Sequence, residues 1–158
     1  MDRAIVVGAS SGIGEALAER LASEGYEVGL AARRVERLEA IGERLPTKAY
    51  VAEMDVTDTE RARERFDALV DAMGGVDLVV LSAGTGRPNR DLDWPVERET
   101  VAVNARGFAA LATAAMARFD EQGSGTLVGI SSVAALFGGG ASPAYSASKA
   151  FVSNCCDG

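Results

Sequence analysis

Val6-Val7-Gly8-Ala9-Ser10-Ser11-Gly12-Ile13-Gly14 decides the reading of this chain. The apolar run Ala4-Ile5-Val6-Val7 breaks into a loop of three glycines and two serines. Helical periodicity begins at once, with Ile13, Leu17 and Leu21 one turn apart on one face. The expected local structure is strand, tight turn, helix. Glycine permits positive φ in such a turn and lets a ligand approach the backbone without a Cβ in the way. The new helix presents unpaired N–H groups and its positive dipole end, which suits a phosphate. Ser10 or Ser11 can cap it.

The spacing is G-x-x-x-G-x-G. It is not G-x-G-x-x-G, because from Gly12 and Gly14 the third position falls on Leu17. It is not a P-loop, because no Lys-Ser or Lys-Thr follows the glycines. A glycine-rich structural turn accounts for the motif taken alone. Its place at the first strand–helix junction favours a dinucleotide.

Outward from this stretch, strand-like and helix-like segments alternate. Glu27 to Ala32 reads as a second strand ending in Arg33-Arg34. A helix follows with Leu38, Ile41 and Leu45 on one face and Pro46 as a stop. Lys48 to Met54 reads as a third strand closed by Asp55-Val56. Thr57-Asp58-Thr59-Glu60 forms a capping box for a helix that buries Ala62, Phe66, Leu69, Val70 and Met73. Gly74-Gly75 ends it. Val76 to Leu81 is nearly all apolar, as strands covered on both faces are. Ser82-Ala83-Gly84 closes it, and Thr85 to Trp94 is a polar loop. From Pro95 a short helix and then a long one run through Phe108, Leu111, Ala115 and Phe119. Thr126 to Ile130 is a fifth strand, followed by Ser131-Ser132 and the loop Gly138-Gly139-Gly140. Ser142-Pro143 starts a last helix. Such alternation predicts a doubly wound α/β fold, a parallel sheet with helices on both faces.

Composition narrows the partners. A chain of 158 residues is expected to form a single domain spanning 1–158. The net charge of −7 argues against nucleic acid and anionic membranes. No apolar run reaches the roughly 18 residues of a spanning helix, and Met1-Asp2-Arg3 opens no signal peptide, so a cytoplasmic location is expected. Cys155 and Cys156 are adjacent and form no disulfide framework. There is no histidine, which removes Ser-His-Asp hydrolysis and histidine-ligated zinc, and no metal site is expected.

The chemistry gathers after the strands. In an open α/β sheet, ligands bind outside the carboxyl ends of the strands. Gly8 to Gly14, Arg33, Asp55, Ser82 to Gly84 and Ser132 all fall at such ends. Tyr145 and Lys149 stand i, i+4 on the last helix and share a face. A surface Tyr-Lys pair is common. An ammonium near a phenol favours the phenolate, and a tyrosine tuned in this way exchanges a proton near neutral pH.

These residues make the chain resemble the short-chain dehydrogenase/reductase family. The matching pieces are Gly-Ala-Ser-Ser-Gly-Ile-Gly at 8–14, Asp55-Val56, Ser82-Ala83-Gly84, Val103-Asn104-Ala105-Arg106-Gly107, Ile130-Ser131-Ser132 and Tyr145-Ser146-Ala147-Ser148-Lys149. They run from end to end of the chain in the family's order. The resemblance implies a Rossmann-type sheet of order 3-2-1-4-5 that lacks the family's usual last strands. It implies a small-molecule carbonyl or alcohol substrate and a homo-oligomer. Tyr145 would give or take the proton, Lys149 would tune it and bind the nicotinamide ribose, and Ser132, rather than Ser131, would hold the substrate oxygen. Asn104 would hold a relay water. Gly8, Ser10, Ser11, Gly12, Ile13 and Gly14 would surround the pyrophosphate, Asp55 and Val56 the adenine, and Ser82, Ala83 and Gly84 would complete the cofactor site.

NADP(H) is the preferred cofactor, with NAD(H) possible. An NAD site wants an acidic residue at the end of strand two. Here Ala32 holds that place, followed by Arg33 and Arg34, and a guanidinium pairs well with a 2′-phosphate. Ser82 departs from the family's Asn-Ala-Gly. The ending departs too: Ser153 to Gly158 does not read as a continuing amphipathic helix. A truncation or shifted frame would leave strand five as an open apolar edge and the last helix prone to fray. The leading reading is an NADP(H)-dependent oxidoreductase. The alternatives are an inactive nucleotide-binding module and an interaction subunit of the same fold.

Overall fold

The computed structural model describes residues 1–138 and 140–156. Gly139, Asp157 and Gly158 lie outside the described residues. Five parallel strands, β1 (Arg3–Val7), β2 (Glu27–Ala32), β3 (Ala49–Glu53), β4 (Leu78–Leu81) and β5 (Thr126–Gly129), form one sheet of order β3-β2-β1-β4-β5. The expected order and Rossmann-like architecture are therefore present.

Past its first residue each strand but β3 is apolar, and successive side chains alternate between the two faces. Ile5, Val7, Val79 and Leu81 face one core, with α3 (Thr59–Met73) and α5 (Phe108–Gln122) over it. Val6, Val28, Leu30 and Val80 face the other, under α1 (Gly12–Ser23) and α2 (Val35–Gly42). The predicted α3 stripe of Ala62, Phe66, Leu69, Val70 and Met73 is fully buried, and Gly74 ends the helix in a left-handed conformation at φ 77. A buried Phe or Leu side chain is worth roughly 1.5–3 kcal/mol, so this stripe contributes most of the attachment of α3.

Several local expectations are corrected. Ile13 is 59% exposed, and the buried face of α1 is Gly14, Ala18 and Ala22, with Leu17 and Leu21 half-buried beside it. The helix sits so close to the sheet that only small residues fit beneath it. Ser11 occupies the N-cap of α1 but makes no capping bond with its side chain. Asp58, not Thr57, caps α3 by accepting the Arg61 N–H at 3.4 Å, because the Thr57 hydroxyl is taken up by Asp55 at 2.7 Å. Leu45 lies past the end of α2 yet still packs on the second core.

Between β4 and β5 the chain forms α4 (Trp94–Val101), a π-helical stretch at Ala102–Gly107, and α5. After β5 come a single 3-10 turn at Val133–Leu136 and α6 (Pro143–Cys156). The helix continues through Ser153-Asn154-Cys155-Cys156, contrary to expectation. Two contacts account for this: Val152 is buried in the first core, and the Ser153 hydroxyl lies 2.6 Å from that of Ser131. Among the described residues β5 is the edge strand on its side of the sheet.

Candidate active site

Strand register sets the floor of the site. Ala52, Ala31, Val7, Leu81 and Gly129 form one row across the sheet. The next amides continue that row: Gly8 N–H donates to Ala31 at 2.8 Å, Ser82 N–H to Val7 at 2.9 Å and Ile130 N–H to Leu81 at 3.1 Å. The strands thus end level, and their following residues open into one cleft of about 980 Å³. Gly8, Arg33, Asp55, Ser82, Ser132, Tyr145 and Lys149 all line it.

At the β1 end, Gly8 turns with φ 88, and a Cβ there would stand 2.5 Å from the Ala83 nitrogen. Beneath it, a Cβ on Gly14 would strike the Gly8 carbonyl oxygen. Gly8 and Gly14 therefore let the loop, α1 and the end of β4 meet. Gly12 has φ 58 and open space beside it, at the mouth of the uncapped helix. Ser10, Ser11 and Ile13 line the cleft, whereas Gly12, which is exposed, and Gly14, which is buried, do not. The buried Ser10 hydroxyl accepts from Arg34 Nη2 at 3.0 Å, which ties the loop to the end of β2.

Arg34 is occupied in this way, but Arg33 is not. Arg33 is exposed and makes no ion pair among the described residues. Asp55 sits on the same wall. Hydrogen bonds from the Thr57 hydroxyl and backbone hold its carboxyl below the usual range, with a smaller contribution from the Arg33 charge. Val56 is buried beside it, and Gly107 allows the π-helical turn to close onto the Val56 carbonyl.

At the β4–β5 end, Lys149 is only 7% exposed. Its Nζ donates to the Ile130 carbonyl at 2.8 Å and lies 5.8 Å from the centre of the Tyr145 ring. Burial pushes the ammonium down from its ordinary 10.5. A depressed folded value means that the charged group costs stability at neutral pH, and that cost disappears only above 10.5, where both states are neutral. The Tyr145 ring lies across Gly86, where any Cβ would collide with it. Among the described residues the Tyr145 hydroxyl has no hydrogen-bond partner, which leaves it open to a ligand.

The two serines divide their tasks. The Ser131 hydroxyl donates to the Lys149 carbonyl at 2.8 Å and meets Ser153, so it fastens α6 to β5. Ser132 Oγ accepts the Ala134 N–H at 3.1 Å and keeps its own proton available to the cleft. Asn104 is 1% exposed and sits in the π-helical turn. Its Oδ1 accepts the Thr85 N–H at 2.8 Å, and its Nδ2 donates to the Thr85 carbonyl at 2.7 Å and to Ser148 Oγ at 3.1 Å. Both amide hydrogens are thus in use, and holding a water would fall to the remaining lone pair of Oδ1. Asn104 does not line the cleft.

Thr85, Gly86 and Ser148 carry no role in the sequence reading, although Ser148 lies within the matching piece Tyr145 to Lys149. Ser148 stands three residues after Tyr145, on the same helix face, and that spacing could have flagged it. Nothing local marks Gly86.

The short chain dehydrogenase family profile matches residues 2–157. The chain belongs to the short-chain dehydrogenase family. It is 40% identical over 155 residues to an uncharacterized oxidoreductase of Myxococcus xanthus, covering 95% of this chain and 61% of that protein. Its fold matches the actinorhodin polyketide ketoreductase solved with NADPH at a TM-score of 0.91 and 29% identity, covering 98% of this chain and 62% of that one. An alcohol dehydrogenase from the archaeon Thermococcus sibiricus, solved with 5-hydroxy-NADP, matches at a TM-score of 0.88 and 27% identity, over 98% of this chain and 68% of that one. The chain spans about three-fifths to two-thirds of the length of the curated relatives it matches. Among the described residues no helix is long and apolar enough to cross a membrane.

Proposed function

We propose that this chain binds NADP(H) in the cleft and interconverts a small-molecule carbonyl and alcohol, with Tyr145 as the proton donor and acceptor. The observation that carries the reading is the convergence of the Gly8 loop, Arg33, Ser132, Tyr145 and Lys149 on one cleft at the level ends of the strands. The residues fit a dinucleotide. The Gly8 turn and the uncapped start of α1 offer N–H groups and a positive dipole end to the pyrophosphate. Asp55 and Val56 line the wall for the adenine, and Ser82, Ala83 and Gly84 line the floor beyond it. The bound nicotinamide supplies or accepts the hydride.

The chain's own residues handle the proton. In reduction, the Tyr145 hydroxyl gives its proton to the carbonyl oxygen as that oxygen gains charge, and in oxidation it takes the proton back. Ser132 donates its free O–H to the same oxygen and orients it. Lys149, whose Nζ donates to the Ile130 carbonyl, stands beside the phenol ring, where its ammonium form favours the phenolate, and it would bind the nicotinamide ribose. The related structures solved with NADPH and 5-hydroxy-NADP support the phosphorylated cofactor.

Arg33 supplies the preference. Among the described residues its guanidinium makes no ion pair, and Ala32 in front of it offers no negative charge to repel a 2′-phosphate. A hydrogen bond to a charged group is worth about 1.5–3 kcal/mol. Arg33→Ala should therefore weaken NADPH about tenfold to hundredfold and leave NADH nearly unchanged, as read by calorimetric titration of both. Equal losses for the two cofactors would remove Arg33 from the 2′-phosphate. The test of the activity itself is consumption of reduced cofactor against a panel of aldehydes and ketones, followed by the loss of absorbance of the reduced nicotinamide.

A further inference from the structure

We propose that Glu97 and Asn89 are positioning residues that set Tyr145, a reading that rests on the proton-transfer role given to Tyr145 above. Glu97 lies in α4 and Asn89 in the loop after β4, both remote from α6 in sequence. The Glu97 carboxylate nevertheless joins them: Oε2 accepts the Ala144 N–H at 3.1 Å, and Oε1 accepts from Asn89 Nδ2 at 2.8 Å. Ala144 immediately precedes Tyr145.

The position of that bond matters. Pro143 opens α6 and has no N–H, so the Ala144 N–H is the first donor the helix presents. A carboxylate there also faces the positive end of the helix dipole. Glu97 thus acts as a cap supplied from another element.

Asn89 is itself rigidly held. It is 4% exposed, its Oδ1 accepts the Asp93 N–H at 2.9 Å, and its second Nδ2 hydrogen goes to the Asp93 carbonyl at 3.1 Å. Its backbone N–H donates to Ala141 at 2.6 Å, and the Ser142 hydroxyl donates to the Arg87 carbonyl at 3.0 Å. Within the same turn Leu92 is held at φ 56, a left-handed conformation that costs a leucine energy and persists only where its surroundings enforce it. The loop therefore grips Tyr145 twice. Gly86 lies under the ring, and Asn89 acts through Glu97 on the backbone just before it.

The chemistry of the bridge gives a selective test. Both partners of Glu97 are N–H donors, so two acceptors are required. A carboxamide offers one acceptor and turns an N–H toward an N–H. In N89D/E97Q the donor and acceptor between 89 and 97 are exchanged and the carboxamide oxygen is free to face Ala144, while the bond from position 89 to the Asp93 carbonyl is lost, so the recovery is partial. We expect E97Q to lower kcat with NADPH about tenfold, because small misplacements of a reacting group are costly. KM for NADPH should stay within twofold, and N89D/E97Q should recover at least about a third of the lost kcat. Hydrogen exchange at the Ala144 amide should quicken about tenfold in E97Q while the amides of β1 stay protected. Both readouts are taken well below the melting temperature of each variant. An unchanged Ala144 exchange rate, or a kcat per folded chain within twofold of the parent, overturns the proposal. A parent chain that consumes no reduced cofactor overturns the proposed activity instead, and the Ala144 exchange rate then decides alone whether Glu97 holds the helix.

Discussion

Tyr145→Phe should lower turnover by about 10²–10⁴-fold, the usual contribution of a positioned general acid or base. Only the hydroxyl is removed, so the ring remains packed on Gly86 and α6 keeps its contacts. No hydrogen bond within the described residues is lost, because the hydroxyl makes none. Melting temperature should therefore change little, and the stabilisation brought by NADPH should persist. Lys149→Met should also abolish turnover, but it strips the Ile130 carbonyl of its donor and so perturbs the fold as well. The phenylalanine variant is the cleaner probe. Full activity in Tyr145→Phe would refute the assigned role.

Gly8→Ala should destabilise the chain by about 2–5 kcal/mol, the sum of roughly 1–2 for a left-handed residue with a Cβ and 1–3 for overpacking. Both penalties are written into the geometry. The φ of 88 disfavours any side chain, and the new methyl would stand 2.5 Å from the Ala83 nitrogen, which is backbone of the neighbouring strand end and cannot swing away. Typical stabilities are about 5–15 kcal/mol, so the loss takes a large share of the total. Gly12→Ala is the internal comparison. It carries a similar φ of 58 but has open space around it, so only the conformational penalty of about 1–2 kcal/mol should appear. Urea unfolding of the two variants separates strain from collision. Equal midpoints would mean that Gly8 is not wedged against β4.

Much of this was legible in the sequence, for identifiable reasons. The α3 stripe was read correctly because large apolar residues recur there at helical spacing against a charged face. The sheet order followed from the alternation of elements and the resemblance, and the bounds of β2 matched throughout. The face of α1 was misread because Gly14, Ala18 and Ala22 bury it: close approach selects for smallness there, and periodicity of large residues points to Ile13 instead. The helical ending was missed because it is held by contacts from Ser131 and the first core rather than by its own pattern. The separate tasks of Ser131 and Ser132 emerge only when α6 lies beside β5. The Asn89–Glu97–Ala144 tie joins residues from three elements, and no local spacing could announce it.

The central claim is that the level strand ends form a working NADP(H) site, and ligand-linked stability tests it most directly. The 158-residue chain would be unfolded thermally alone, with NADPH and with NADH. At 100-fold over the dissociation constant, a bound cofactor adds about 2.7 kcal/mol, or roughly 5–10 °C for a chain of this size. We expect such a rise with NADPH, a smaller one with NADH at equal concentration, and loss of the difference in Arg33→Ala. No rise with either cofactor would contradict the claim.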